Sequence, residues 1–320
     1  MLTYILFVIG FIFLIKGASY LIDGASAIAK RFNISDIVIG LTIVAFGTSA
    51  PELAVNLISS FHGNTELALG NIVGSNLANV LLILGIAAII RPLKIKISTV
   101  WKEIPFNLLG AVLLMVLVSD VFLDGTKASF ISRTDGWSLI AFFAIFLIYT
   151  FGIAKSAPDP SSEVSKLSLP KSILMVVVGL AGLTIGGQWI VDGAVRIATL
   201  MGISQSAIGL TIVAIGTSLP ELAATIVASI KKQADMAIGG IIGSNIFNIF
   251  WILGVSSIVR PIPVDTSSNP SLYLNIFASF LLFIFLFIGK KHVLERWQGL
   301  MFLSFYVCYI GFIFASPYLI

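Results

Sequence analysis

The chain has 320 residues, 58% of them hydrophobic and only 11% charged, with a mean hydropathy of +1.06; a water-soluble fold of that composition would lack the polar surface to cover its core. The formal net charge of +4 is too small and too dispersed to suggest a nucleic-acid-binding surface, and the single cysteine, Cys308 in the last apolar segment, excludes an internal disulfide. The chain reads as an integral membrane protein.

A spanning helix needs about 20 mostly apolar residues. Such segments run, in chain order, over 2–28, 35–61, 66–90, 103–119 and 134–154, and again over 171–199, 204–230, 236–259, 271–289 and 297–317. The first has no basic flank before it and no small-residue cleavage site after it, so it reads as a span and not as a removable signal. Residues 155–170, rich in proline and charge, read as a linker between a first repeat over 1–154 and a second over 171–320. The fold class expected is an all-α integral membrane protein with ten transmembrane helices in two repeats of five, forming one integrated membrane domain.

The repeats are visible as repeated text. GLTIVAFGTSAPEL (Gly40 to Leu53) returns as GLTIVAIGTSLPEL (Gly209 to Leu222), and Asp23-Gly24, Gly74-Ser75-Asn76, Asn79, Leu84-Gly85 and Arg91-Pro92 return as Asp192-Gly193, Gly243-Ser244-Asn245, Asn248, Leu253-Gly254 and Arg260-Pro261. All lie at one gapless offset, and about half of the positions from Leu21 to Pro92 match their partners, which marks an internal duplication.

Basic residues orient the spans, because Lys and Arg concentrate in cytoplasmic loops. The odd-numbered loops carry most of the 19, among them Lys30, Arg31, Arg91, Lys94, Lys96, Lys231 and Lys232, while the even-numbered loops hold Lys127, Arg133, Arg196 and Arg260. Both termini are therefore expected outside the cell membrane. Corresponding helices are an odd number of spans apart, so the two halves thread the bilayer in opposite directions, an arrangement many secondary transporters share.

Each copy of the motif carries one glutamate, Glu52 and Glu221, inside a strongly apolar span. A carboxylate at that depth costs at least about 2.5 kcal/mol on insertion scales and is usually kept because it binds or moves something charged. Two of them brought together repel unless a cation or a proton lies between them. Pro51 and Pro220 lack an N–H and release the carbonyls of Gly47 and Gly216, and freed carbonyls at membrane depth are tolerable where they line a site. Thr48, Ser49, Thr217 and Ser218 add hydroxyls beside them, and Ser75 with Asn79 and Ser244 with Asn248 form i, i+4 pairs on single helical faces. Every candidate ligand is oxygen, which suits hard cations such as Ca²⁺ and Na⁺ over Zn²⁺ or copper. The repeated glycines Gly70, Gly74, Gly239 and Gly243 read as close-packing positions, and Asp23 and Asp192, toward the ends of the first helix of each half, as solvated or capping groups.

GTSAPEL and GTSLPEL, with GNIVGSNLANVLLILG (Gly70 to Gly85) and GGIIGSNIFNIFWILG (Gly239 to Gly254), resemble the two alpha-repeats of the calcium:cation antiporter superfamily, and specifically its prokaryotic sodium/calcium exchangers. The resemblance covers nearly the whole chain. It implies four ion sites at the centre of the second, third, seventh and eighth spans. By that resemblance Glu52 and Glu221 share Ca²⁺ with help from backbone oxygens of Thr48 and Thr217. Ser49, Ser218, Ser75, Ser244 and the carbonyls of Ala45 and Ala214 complete the sodium sites, with Asn79 and Asn248 flanking the middle. One departure stands out: related exchangers often have aspartate at the place of Asn248, whereas this chain has asparagine in both halves. That leaves the number of sodium ions per calcium open and weighs against the potassium-dependent branch.

The function these readings imply is secondary-active antiport of Ca²⁺ against Na⁺ by alternating access, without a cofactor, a required protein partner or enzymatic chemistry. Both ions compete for the same two glutamates, and the first and sixth spans are expected to slide past a more rigid bundle of the other eight. The nearest alternative is exchange of Ca²⁺ for H⁺. An intramembrane hydrolase fits less well, since no HExxH motif is present, and a channel would show fluxes uncoupled from a counter-ion.

Overall fold

A computed structural model describes residues 2–63, 66–123, 125–156, 167–201, 214–264 and 269–315. The helices are α1 (Leu2–Phe32), α2 (Asp36–Thr48), α3 (Ala50–His62), α4 (66–90), α5 (Ile97–Leu117), α6 (Arg133–Ser156), α7 (Leu169–Leu200), α8 (Ala214–Thr217), α9 (Leu219–Ile230), α10 (Ala234–Val259), α11 (Asn269–Phe285) and α12 (Arg296–Ala315). Among the described residues six helices are long and apolar enough to cross a membrane, and a seventh crossing is the pair α2 and α3, which meet at a 46° bend. The chain is mostly helical and built for a bilayer. The expected seventh span over 204–230 begins outside the described residues, as does most of the 155–170 linker, into which α6 and α7 each extend.

The longest helices are the two that open the halves. With 31 and 32 residues, α1 and α7 are each about 46–48 Å long, well beyond a hydrocarbon core of about 30 Å, so they must lie tilted. They pack antiparallel along one another. A Cβ on Gly10 would sit 2.8 Å from the carbonyl oxygen of Gly186, and one on Gly17 would sit 2.8 Å from that of Gly179. Only glycine permits this backbone contact, and since apolar side chains gain nothing by leaving lipid, such close approach is what holds membrane helices together.

The apolar interior divides in two. A large cluster joins α4, α5, α6, α10, α11 and α12 around Ile72, Leu81, Phe250 and Phe302. A smaller one, around Leu21, Ile22, Leu183 and Ala224, seats α1 and α7 against α2 and α9.

Short extended pairs join the loops between the helices. Leu93–Lys94 (β1) pairs antiparallel with Val293–Leu294 (β4), and Ser129–Ile131 (β2) with Ile262–Val264 (β3). Arg91-Pro92 and Arg260-Pro261 end the preceding helices, because the residue before proline is pushed out of the helical region, and the extended chain that follows finds a partner in the opposite half. Side chains make similar links. Lys96 meets Asp235 at 2.8 Å, Lys231 meets Asp23 at 2.7 Å, and the Arg260 guanidinium lies against Gly63, whose φ of +88° closes α3 in the left-handed region.

Candidate ion-binding site

Two broken helices build the centre. Ser49 interrupts the first at φ −86°, ψ 7°, and Ser218 the second at φ −88°, ψ 4°. The near identity follows from the repeated Gly-Thr-Ser-x-Pro-Glu, in which proline can stand in the first turn of the new helix but cannot donate to the old one. The glycine of each motif packs under α7, Gly47 on Leu180 and Gly216 on Val191.

Glu52 and Glu221 consequently occupy the first turns of α3 and α9, where unpaired N–H groups and the helix dipole favour negative charge. Both are buried, at 1% and 3% exposure. The Ser49 hydroxyl donates to Glu221 Oε1 at 3.0 Å and so joins the halves. Glu221 is close enough to act on Glu52 by charge repulsion, and each acid has polar neighbours from the opposite half, Thr217 beside Glu52 and Ser49 with Thr48 beside Glu221; Ser75, from the same half as Glu52, also lies beside it. Among the described residues, Glu221 Oε2 and both carboxylate oxygens of Glu52 have no hydrogen-bond partner.

The hydroxyls around them are partly engaged with each other and with their own helices. Thr48 Oγ1 donates to the Val44 carbonyl at 3.0 Å and stands 3.5 Å from Ser244 Oγ, which itself reaches the Ala45 carbonyl at 3.5 Å. Ser218 Oγ donates to Ser75 Oγ at 3.4 Å. Ala214 opens α8, directly after residues outside the description.

Asn79 and Asn248 are brought to the same centre but engage amides, not carboxylates. Asn79 Nδ2 donates to Asn245 Oδ1 and Asn248 Nδ2 to Asn76 Oδ1, each at 2.9 Å, leaving Asn79 Oδ1 and Asn248 Oδ1 buried without partners among the described residues. Both sit in π-helical stretches, Ala78–Ile83 in α4 and Phe247–Leu253 in α10. A third such stretch, Gly40–Val44, precedes the first break. One extra residue per turn swings the following side chains round the helix, and such bulges recur at functional sites. Asn76 and Asn245 are absent from the ligand set expected from sequence; the signal for them is the Gly-Ser-Asn triplet preserved in both halves.

Among the described residues no three of His, Cys, Asp and Glu cluster. A metal ion at the centre would therefore meet two carboxylates and neutral hydroxyl, amide and carbonyl oxygens, the donor set of a hard cation. The unpartnered carboxylate oxygens fit that occupant, because leaving them bare in a membrane interior is costly.

The family model for the sodium/calcium exchanger protein matches residues 2–152 and 171–315. The chain is 38% identical over 318 residues to the putative antiporter CaxA of Alkalimonas amylolytica, covering 96% of this chain and 97% of that one. It is 32% identical over 349 residues to the sodium/calcium exchanger MaX1 of Methanosarcina acetivorans, covering 98% of each. The fold matches the solved sodium-calcium exchanger NCX_Mj with a TM-score of 0.82 at 33% identity, over 97% of this chain and 98% of that one. Fold and relatives together define a multi-pass membrane protein that carries out cation antiport. The chain belongs to the sodium/calcium exchanger family.

Proposed function

We propose that this protein exchanges Ca²⁺ for Na⁺ across the cell membrane, with Glu52 and Glu221 forming one site that the two ions occupy in turn. The observation that carries this reading is the Ser49–Glu221 hydrogen bond at 3.0 Å, which places the acid of one half within the broken helix of the other. Thr48, Thr217, Ser49, Ser218, Ser75 and Ser244 and the carbonyls of Ala45 and Ala214 supply the remaining oxygens, with Asn79 and Asn248 at the margin. A single Ca²⁺ neutralises both carboxylates at once. Sodium does so only by multiple occupancy, and the two fillings exclude each other because they need the same oxygens. The relatives support the choice of ions: MaX1 is a sodium/calcium exchanger, and NCX_Mj has been solved after soaking with Na⁺ and Sr²⁺.

The frame is ten spans in two inverted repeats of five, 1–154 and 171–320, joined by 155–170, with both termini outside. Five contacts between loops or helix ends support that threading. The β1–β4 and β2–β3 pairs, Lys96–Asp235, Lys231–Asp23 and Arg260–Gly63 each join segments expected on the same face of the membrane.

Radioactive calcium uptake into sodium-loaded proteoliposomes tests the reading. Uptake should follow the sodium gradient and collapse in Glu52→Gln and in Glu221→Gln. Uptake driven equally by a pH gradient without sodium establishes Ca²⁺/H⁺ exchange instead, and unchanged coupled flux in both variants removes the two-glutamate site.

A further inference from the structure

In α3 no apolar residue is fully buried. Its buried positions are Glu52, Asn56 and Ser60, four apart and so stacked in one line along the helix, while Val55, Ile58 and Phe61 are exposed. Asn56 Nδ2 is engaged by the Glu52 carbonyl at 2.8 Å, but Asn56 Oδ1 and Ser60 Oγ have no hydrogen-bond partner among the described residues.

The last turns of α10 pack against α3. On that stretch Gly254, Ser257 and Ile258 meet Gly136 of α6, which puts Ser256 on the side of the helix away from α6. Its hydroxyl is also fully buried and has no partner among the described residues. Oxygens are thus lined up, one above another, from Glu52 to the end of α3. Unpaired polar groups at membrane depth persist where they face a polar occupant.

The duplicate half carries the same line with its last hydroxyl closed off. Glu221, Thr225 and Ser229 run along α9, but the Ser229 hydroxyl closes on the Thr225 carbonyl at 2.7 Å. The places of Ser256 and Ser257 are taken by Ala87 and Ala88, both buried. The difference lies in the residues themselves, because the backbone positions are related by the duplication.

We propose that Asn56 and Ser60 of α3, with Ser256 of α10, line the passage by which hydrated cations reach Glu52 from the membrane face at which α3 ends. The inference rests on the proposed exchange function and assigns its route on one side. Amide and hydroxyl oxygens replace part of a hard cation's water without binding it as tightly as carboxylates do, so the ion is passed inward and not trapped.

Cysteine accessibility tests it in proteoliposomes. In a Cys308→Ser background, which removes the one exposed native thiol, Asn56→Cys and Ser256→Cys are treated from one side at a time with a membrane-impermeant cationic thiol reagent; Val55→Cys, at the same depth on the exposed face, is the control. Both passage variants should react several-fold faster than the control, from the α3-end face only, should be slowed by Ca²⁺, and should lose calcium uptake once modified. If Asn56→Cys fails to fold, Ser256→Cys decides alone. Passage variants that still exchange yet react no faster than Val55→Cys from that face overturn the proposal. If the parent protein moves calcium without sodium dependence, the exchange reading fails, while the reaction rates still report whether the passage exists.

Discussion

Ser49 donates its hydroxyl to Glu221 Oε1 at 3.0 Å, whereas its duplicate Ser218 does not return the contact to Glu52 and donates to Ser75 Oγ at 3.4 Å. The sequence symmetry is thus broken at the hydrogen bonds around the two acids. A bond to an ionised acceptor contributes about 1.5–3 kcal/mol and one between hydroxyls about 0.5–1.5 kcal/mol. Ser49→Ala should therefore raise the half-saturating calcium concentration by roughly tenfold to a hundredfold, and Ser218→Ala by roughly tenfold or less. Calcium-dependent uptake rates measured side by side check the order; equal effects would show that the asymmetry does not persist in the loaded protein.

Asn248→Asp changes a donor into an acceptor. Asn248 Nδ2 donates to Asn76 Oδ1 at 2.9 Å, so an aspartate there would oppose two acceptors and add a third buried acid beside Glu52 and Glu221. The empty variant should be destabilised by about 1–3 kcal/mol, and Ca²⁺ or Na⁺ should restore more stability to it than to the parent. Thermal melts with and without each ion measure this, and the sodium-to-calcium ratio of the variant should rise. A melt unchanged without ions would mean the Asn248–Asn76 bond contributes nothing.

Gly17→Val tests the contact between the two tilted helices. Its Cβ would meet the Gly179 carbonyl oxygen at 2.8 Å and the Leu183 nitrogen at the same distance, and backbone atoms cannot step aside as a flexible side chain would. Overpacking of this kind costs about 1–3 kcal/mol. Thermal stability should fall and exchange should slow, while Gly311→Val on α12, where a Cβ meets nothing within 4 Å of the described residues, should leave both unchanged.

Asp23→Asn removes the partner of Lys231, whose ammonium also donates to Ser19 Oγ at 2.8 Å. Both charged groups are partly exposed, so the pair is worth at most about 1 kcal/mol. Because it clamps α1 to the end of α9, and α1 is proposed to slide during transport, its loss should change maximal uptake by up to roughly fivefold with little effect on calcium affinity. High salt should produce the same change in the parent and none in the variant.

Much of the site was legible because the duplication writes it twice. The two breaks, the proline and glutamate after each, and the flanking hydroxyls can be read from local chain chemistry, and all lie where helices α2–α3, α4, α8–α9 and α10 converge. The π-helical stretches were not legible: an extra residue in a turn leaves no mark in an apolar run, since every position is buried anyway. Asn76 and Asn245 escaped because their role is a bond across the duplication. Asp23, expected to be solvated or capping, is partly exposed and also ion-paired to a lysine more than two hundred residues away, while its duplicate Asp192 stays exposed and accepts from Gln188 at 2.8 Å. Close packing holds for Gly239 against Ile37 and for Gly243 against Leu41. For Gly70 and Gly74, the positions that duplicate Ile37 and Leu41 are Ser206 and Leu210, which lie outside the described residues.

The pairing of β1 with β4 and β2 with β3 bears on how the chain is made. During synthesis the first strand of each pair emerges long before its mate, and Leu93 must wait some two hundred residues for Leu294. An amino-terminal half inserted alone would present unpaired edges at both surfaces of the membrane. Assembly must therefore finish late, once the last two helices are threaded, and a nascent chain stalled before that point is the form a quality-control protease should recognise.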